Sequence, residues 1–343
     1  MKRSPQCGAI RTHDGFSLIE VLISIAVIGL LLGLLLPAVQ QSRATSRRID
    51  CANRLKQIAL ATANFEATHR LYPDSYKWRV QLLEHLGERA LAGQFARTED
   101  WAAGNADQAP ETWRLQTPLS QFICPAETDS SGQPIVNYYA NMGSGLQAHG
   151  FNGFLSPENG GAYYYGAHNV RHLSGRTKPA DFQDGLSNTV AYSEALASPS
   201  TFVGSVGATG ASREQIFRLS WGVDGELSTA DDLPEFARLC RSVVSWNAFS
   251  IGSNRGRMCW PEWRSGAVYV GPIIHGWAYD HVLPPNSPSC GNSYWGIYSA
   301  NSLHVAGVNV VFGDGHGKFI AEAIDKSLWT ALGTRSGNET VEF

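Results

Sequence analysis

Several groups of side chains have identities that acid–base, metal or nucleophilic chemistry uses. His304 and Asp314, within NSLHVAGVNVVFGDGHGKFI, have the residue types of a catalytic dyad. Their spacing argues against that role. Val308-Asn309-Val310-Val311-Phe312 alternates like a strand, Gly313 to Gly317 is turn chemistry, and Lys318-Phe319-Ile320 begins a return strand. His304 then stands beyond one end of the first strand, and Asp314, beside Gly315, at the hairpin tip. At ~3.3 Å per residue the two are roughly 20–30 Å apart, whereas a general base needs ~3 Å or one bridging water. Asp314 is therefore expected to be a turn residue and His304 a buried or capping histidine.

Asp184-Gly185 with Ser187 and Asn188 offers oxygen ligands of the kind Ca²⁺ takes. The simpler reading is a tight turn leading into a strand over 189–193. His168 and His172 are four apart, as two ligands on one helical face would be, but Asn169-Val170-Arg171 between them gives no helical context. Asp224-Gly225-Glu226 with Asp231-Asp232 is an acidic loop that lacks EF-hand spacing. The chain contains no G-x-S-x-G, no P-loop and no dinucleotide fingerprint. No catalytic residue, metal or cofactor is expected.

The elements that must hold these residues follow from composition and period. Of 343 residues, 17% are charged, 35 are Gly and 10% are aromatic; ordinary globular chains have about 25% charged residues and ~7% Gly. Such a chain suits short strands joined by tight turns, and its 43% apolar content excludes disorder. A formal charge of −3 excludes the basic footprint of a general nucleic-acid binder. Cys51, Leu55, Ile58, Thr62 and Phe65 form an amphipathic helical stripe suited to lying on a globular domain. Leu71-Tyr72-Pro73 ends that helix, and Trp78 to Phe95 reads as another, interrupted at Gly87. The expected class is α+β: a long N-terminal transmembrane and stalk helix, then a globular domain rich in antiparallel sheet.

The front of the chain is unlike the rest. Phe16 to Val39, FSLIEVLISIAVIGLLLGLLLPAV, has one charge, Glu20, and one helix breaker, Pro37, where a kink is expected. As a helix it would be ~36 Å long, enough for a ~30 Å hydrocarbon core. A cleaved secretory signal has an apolar stretch of only ~7–15 residues, with its small-residue cleavage site on the far side; here Gly15 precedes the apolar run. Glu20 is costly in that setting, roughly 2.5–3.5 kcal/mol on insertion scales, and such a carboxylate usually has a partner. Lys2, Arg3 and Arg11 precede the span while Arg43, Arg47 and Arg48 follow it, so loop charge gives almost no bias in orientation.

Gly15-Phe16-Ser17-Leu18-Ile19-Glu20-Val21-Leu22-Ile23 resembles the N-terminus of type IV pilins and type II secretion pseudopilins. The resemblance implies cutting between Gly15 and Phe16 by a membrane prepilin peptidase, N-methylation of Phe16, and Glu20 as an assembly residue facing a neighbouring subunit's new amine. Pro37 matches a proline common in that helix. Loss of the leader removes three basic residues and one acidic residue, taking the formal charge from −3 to −5. The organisation implied is a leader over 1–15, a transmembrane helix over 16–39, its amphipathic continuation over 40–71 and an extracytoplasmic α+β domain over 72–343. The resemblance also implies a single-pass inner-membrane protein with its leader in the cytoplasm.

Beyond the helix the chain is similar to the bacterial pilin-like family called domain of unknown function 1559. That family's mark is a C-terminal His, nine residues, then Asp-Gly, here His304 and Asp314-Gly315. Further matches are the segment Arg47 to Gln57, Phe122-Ile123-Cys124-Pro125, Asp184-Gly185-Leu186-Ser187-Asn188-Thr189, Pro284-Pro285-Asn286 and Gly333-Thr334-Arg335. Two departures bear on turn geometry: Val305-Ala306 stands where Pro-Gly usually follows the motif His, and Glu84-His85 replaces a Pro-aromatic pair.

Cys7 would leave with the leader, so Cys51, Cys124, Cys240, Cys259 and Cys290 would face an oxidising compartment. Five cysteines allow at most two bridges within one chain. Cys51 with Cys124 is the first choice, tying the stalk helix to the domain, and Cys240 with Cys290 the second, leaving Cys259 free; sequence does not fix the pairing. The expected function is non-enzymatic: a pilin-like membrane protein whose partners are the prepilin peptidase/N-methyltransferase and like subunits or other pilin-like proteins, with no nucleic acid. The alternatives are a membrane-tethered module that binds glycan or envelope material without polymerising, and a tethered hydrolase.

Overall fold

Helix starts where the sequence is most apolar. The computed structural model describes residues 17–75, 77–95, 119–127, 136–145, 151–156, 175–196, 216–218, 233–241, 278–291 and 296–339. The chain divides into two compact units, Met1–Ser46 and Arg47–Phe343. Helix α1 (Leu18–His69) is unbroken over 52 residues, with Pro37 inside it. Between Leu18 and Val39 fifteen Leu, Ile and Val side chains are exposed, an apolar surface far larger than soluble monomers show. The helix is long and apolar enough to cross a membrane.

From Arg47 onward the same helix becomes one-sided. Cys51, Leu55, Ile58, Thr62 and Phe65 are buried, together with Ala59 and Ala61. The helix stops at His69, and Arg70 follows in a left-handed conformation with φ 60°. The region Trp78 to Phe95 is three short pieces: α2 (Trp78–Leu82), a single 3₁₀ turn (Glu84–Leu86) and α3 (Arg89–Phe95). Gly87 separates the last two at φ 88°, a left-handed cap that a residue without Cβ adopts freely.

Among the described residues the second unit holds two sheets. The larger is ordered β4 (Ala278–Tyr279), β1 (Tyr138–Asn141), β2 (Val190–Glu194), β7 (Gly307–Phe312), β8 (Gly317–Ala321). β1, β2, β7 and β8 pair antiparallel, and β4 adds to β1 as a parallel edge. The smaller is β3 (Ile216–Arg218), β5 (Ser289–Gly291), β6 (Gly296–Ile297). Helices α4 (Leu233–Arg241) and α5 (Lys326–Leu332) complete an α+β architecture. α5 is capped by Asp325, whose carboxylate accepts from the backbone N–H of Ser327 and Leu328.

The core is aromatic. Trp78, Trp329, Tyr138, Tyr139 and Tyr192 are among its largest fully buried side chains. Tyr192 reaches α1 through a 2.8 Å hydrogen bond between its hydroxyl and that of Thr62. The Arg79 guanidinium lies over the rings of Trp78 and Tyr139 and donates to the Tyr138 carbonyl at 2.7 Å. Burial lowers its pKa to about 10, so it stays charged at neutral pH.

The hairpin after His304 is well registered, with Val308 opposite Ile320 and Val310 opposite Lys318. The turn leading into it is less comfortable, because Ala306 has φ 62°. A left-handed Ala costs about 1–2 kcal/mol, and Gly returns about 0.5–1 of that as unfolded-state entropy. Ala306→Gly is expected to stabilise the chain by about 0.5–1 kcal/mol, read as a higher urea midpoint at unchanged m-value.

Candidate functional site

Cys51, Cys124, Glu194 and His304 meet in the interior of the second unit. Cys51 lies on the buried face of α1, and Arg54, one turn on, donates from its guanidinium to the carbonyls of Ser120 and Ile123. That contact pins the turn that follows the short 3₁₀ helix Ser120–Phe122 and presents Cys124 to α1. The two cysteines form a disulfide, with Cα atoms 5.0 Å apart. Asn137 holds the turn from its other side, accepting from the Cys124 backbone N–H at 2.8 Å and donating to Glu127 at 2.9 Å.

Glu194 closes β2, on the same side of that strand as Tyr192 by the period of two. Tyr192 faces α1 through Thr62, so the carboxylate is delivered towards the helix. Both of its oxygens are engaged by Asn309 of β7: the backbone N–H donates to Oε2 and the side-chain amide to Oε1, each at 2.8 Å. The Asn309 amide also donates to the Arg48 carbonyl of α1 at 3.3 Å. His304, in the turn before β7, has Nε2 3.2 Å from Glu194 Oε1 and 3.7 Å from Cys124 Sγ. The side chains of His304 and Glu194 are only 5% and 2% exposed. One potential ligand atom from each of the four residues lies within 4.8 Å of the others. Beside them is a cavity of about 10 Å³, room for roughly one water, lined by Cys124, Glu127, Asn137, Glu194, Asn301 and Ser302 among others.

His304 and Asp314 are at opposite ends of β7 and share no contact. Asp314 is at the exposed hairpin tip, where its carboxylate accepts from the His316 backbone N–H at 3.0 Å and meets His316 Nδ1 at 2.7 Å. Gly315 beside it has φ 90°, a conformation that favours glycine. Asp184 serves the C-terminal segment: its carboxylate accepts from the backbone N–H groups of Gly337 and Asn338 at 2.7 and 2.8 Å. Asn188 donates to the Asp184 carbonyl at 2.9 Å, and Ser187 sits in the same turn. Arg335 fixes the loop over 151–156 by donating to the carbonyls of Phe151 and Gly153.

Glu20 is exposed on α1, and its carboxylate accepts from the backbone N–H of Ser17 at 2.9 Å. Gly15, Phe16, His168, His172, Asp224, Glu226, Asp231, Asp232 and Cys259 lie outside the described residues. Cys240 is buried and disulfide-bonded; the side chain of Cys290, its expected partner, also lies outside what is described.

Glu194 and His281 were not visible as site or core determinants in the sequence. His281 is fully buried, stacked on Trp329 with ring centroids 3.8 Å apart. One ring nitrogen is 2.7 Å from the Trp329 carbonyl and the other 3.0 Å from the Tyr279 hydroxyl. Gly333 makes room for it, since a Cβ there would lie 2.4 Å from the His281 Cβ.

Residues 40–327 match the family described as protein of unknown function (DUF1559), and residues 10–36 match the prokaryotic N-terminal methylation motif. No curated protein and no solved structure matches the chain.

Proposed function

The chain belongs to the DUF1559 family and carries a prokaryotic N-terminal methylation motif, and from that premise we propose that it is a non-enzymatic, pilin-like membrane protein. A prepilin peptidase cuts it between Gly15 and Phe16 and methylates the new amine. The helix from Phe16 to Val39 then anchors the protein in the inner membrane, and residues 72–343 form an extracytoplasmic domain. Like subunits or other pilin-like proteins pack through α1. The observation that carries this reading is the register of the motif with the helix: the matched segment, residues 10–36, runs into α1, where the lone acid Glu20 and fifteen exposed aliphatic side chains share one helical run.

Glu20 sets subunit register in this reading, its carboxylate meeting the methylated Phe16 amine of a neighbour. A charge that costs roughly 2.5–3.5 kcal/mol to insert is retained against a partner of comparable worth. Glu20→Ala is therefore expected to insert at least as well as the parent while copy-to-copy crosslinking in membranes falls by about tenfold or more. Unchanged crosslinking would leave anchoring without assembly.

A glycan-binding surface draws no support from the described aromatic residues. Among them every Phe, Tyr and Trp whose burial is described is buried or half-buried, Phe319 being half-buried beneath Arg48. Rings that stack on sugars must be open to them.

A further inference from the structure

Disulfides need no polar neighbours, yet this one has an imidazole and a carboxylate buried against it. Burying polar groups is costly unless they find partners or serve a purpose. Two sulfurs, one imidazole nitrogen and one carboxylate oxygen make the donor set of a tetrahedral zinc site, with ligand bonds of about 2.0–2.3 Å. Donors so arranged lie roughly 3.6 Å apart, and the four here are already within 4.8 Å of one another. The supporting shell is also in place. Asn309 grips both oxygens of Glu194, and Asn137 holds the backbone N–H of Cys124; such outer contacts orient metal ligands.

We infer that Cys51, Cys124, His304 and Glu194 form a redox-gated Zn²⁺ site, closed as the disulfide and open as the dithiol. A dithiol reductant donates two electrons: the Cys51–Cys124 bond breaks, the reductant forms its own disulfide, and its two protons pass to the cysteine sulfurs. Zn²⁺ then displaces those two protons and takes two thiolates, His304 Nε2 and one Glu194 oxygen. Cys124 and Glu194 both line the adjacent cavity, which gives the Cys124 sulfur room to part from Cys51. A disulfide oxidant reverses the step: it takes two electrons from the thiolates and two protons from solvent to become its dithiol, the Cys51–Cys124 bond forms again and Zn²⁺ is released.

The test uses the full chain in detergent, reduced with a phosphine, and Co²⁺ as the probe. The expected result is one Co²⁺ per chain, with thiolate-to-metal charge-transfer absorption and a tetrahedral visible spectrum. One equivalent of Zn²⁺ bleaches both, and the unreduced protein binds none. His304→Gln and Glu194→Gln each weaken binding by at least about tenfold, the range that even outer-shell changes reach. A reduced chain that takes up no Co²⁺, whether folded or not by circular dichroism, overturns the inference. So does uptake that neither variant changes, since the cysteines alone would then account for it.

Discussion

Replacing Cys51 and Cys124 together by alanine is expected to cost about 4 kcal/mol of unfolding free energy. The bridge closes a loop of 73 residues, and the entropy it removes from the unfolded chain is on the order of 15 cal/mol/K, or about 4.4 kcal/mol at 25 °C. Urea unfolding of the detergent-solubilised chain should show this as a midpoint lower by roughly 1–2 M. Beyond the backbone itself, the bridge is the only described covalent link between α1 and the sheet-bearing part of the same unit, with the Arg54 contacts to Ser120 and Ile123 beside it. A loss under about 1 kcal/mol would mean that these contacts, and not chain closure, fix the turn.

The second large effect is acid lability. Burial lowers the pKa of His281 from the ordinary 6.5 to about 3, outweighing the hydrogen bond to the Trp329 carbonyl that favours its protonated form. Between about pH 6.5 and 3 the unfolded chain therefore carries a proton on this residue that the native fold refuses. Stability from His281 is complete above pH 6.5 and is lost as pH falls towards 3. One proton's slope amounts to about 3 kcal/mol between pH 6.5 and 4. His281→Gln removes the titrating ring, so its stability should fall by about 3 kcal/mol less than the parent's over that interval. Parallel pH profiles would show that His281 is protonated in the native fold.

Local patterns announced themselves in this sequence, and long-range partners did not. The apolar run before Val39, the stripe from Cys51 to Phe65 and the Val308–Ile320 hairpin are each set by period and turn residues within about twenty positions. They appear in the structure as α1, its buried face, and β7 with β8. Gly87 interrupts the Trp78–Phe95 region as its residue type indicates, but α2 stops earlier, at Leu82. The α+β class was likewise legible. What was not is any pairing that depends on register between distant segments. β4 joins β1 in parallel across more than 130 residues, and Glu194 finds Asn309 across 115. Neither His281 nor Glu194 has a local signature, because a buried polar residue is recognised only by the partners that satisfy it. His304 and Cys124 stood out singly in the sequence; that they meet at 3.7 Å is a property of the fold.

The proposed role rests on the state of the N-terminus. Intact-mass and N-terminal peptide spectrometry of the protein purified from membranes of cells with a prepilin peptidase would read it directly. The predicted result is a chain beginning at Phe16 with a methylated amine, found in the membrane fraction. A chain that still begins at Met1, or that is recovered without detergent from the soluble fraction, would contradict it.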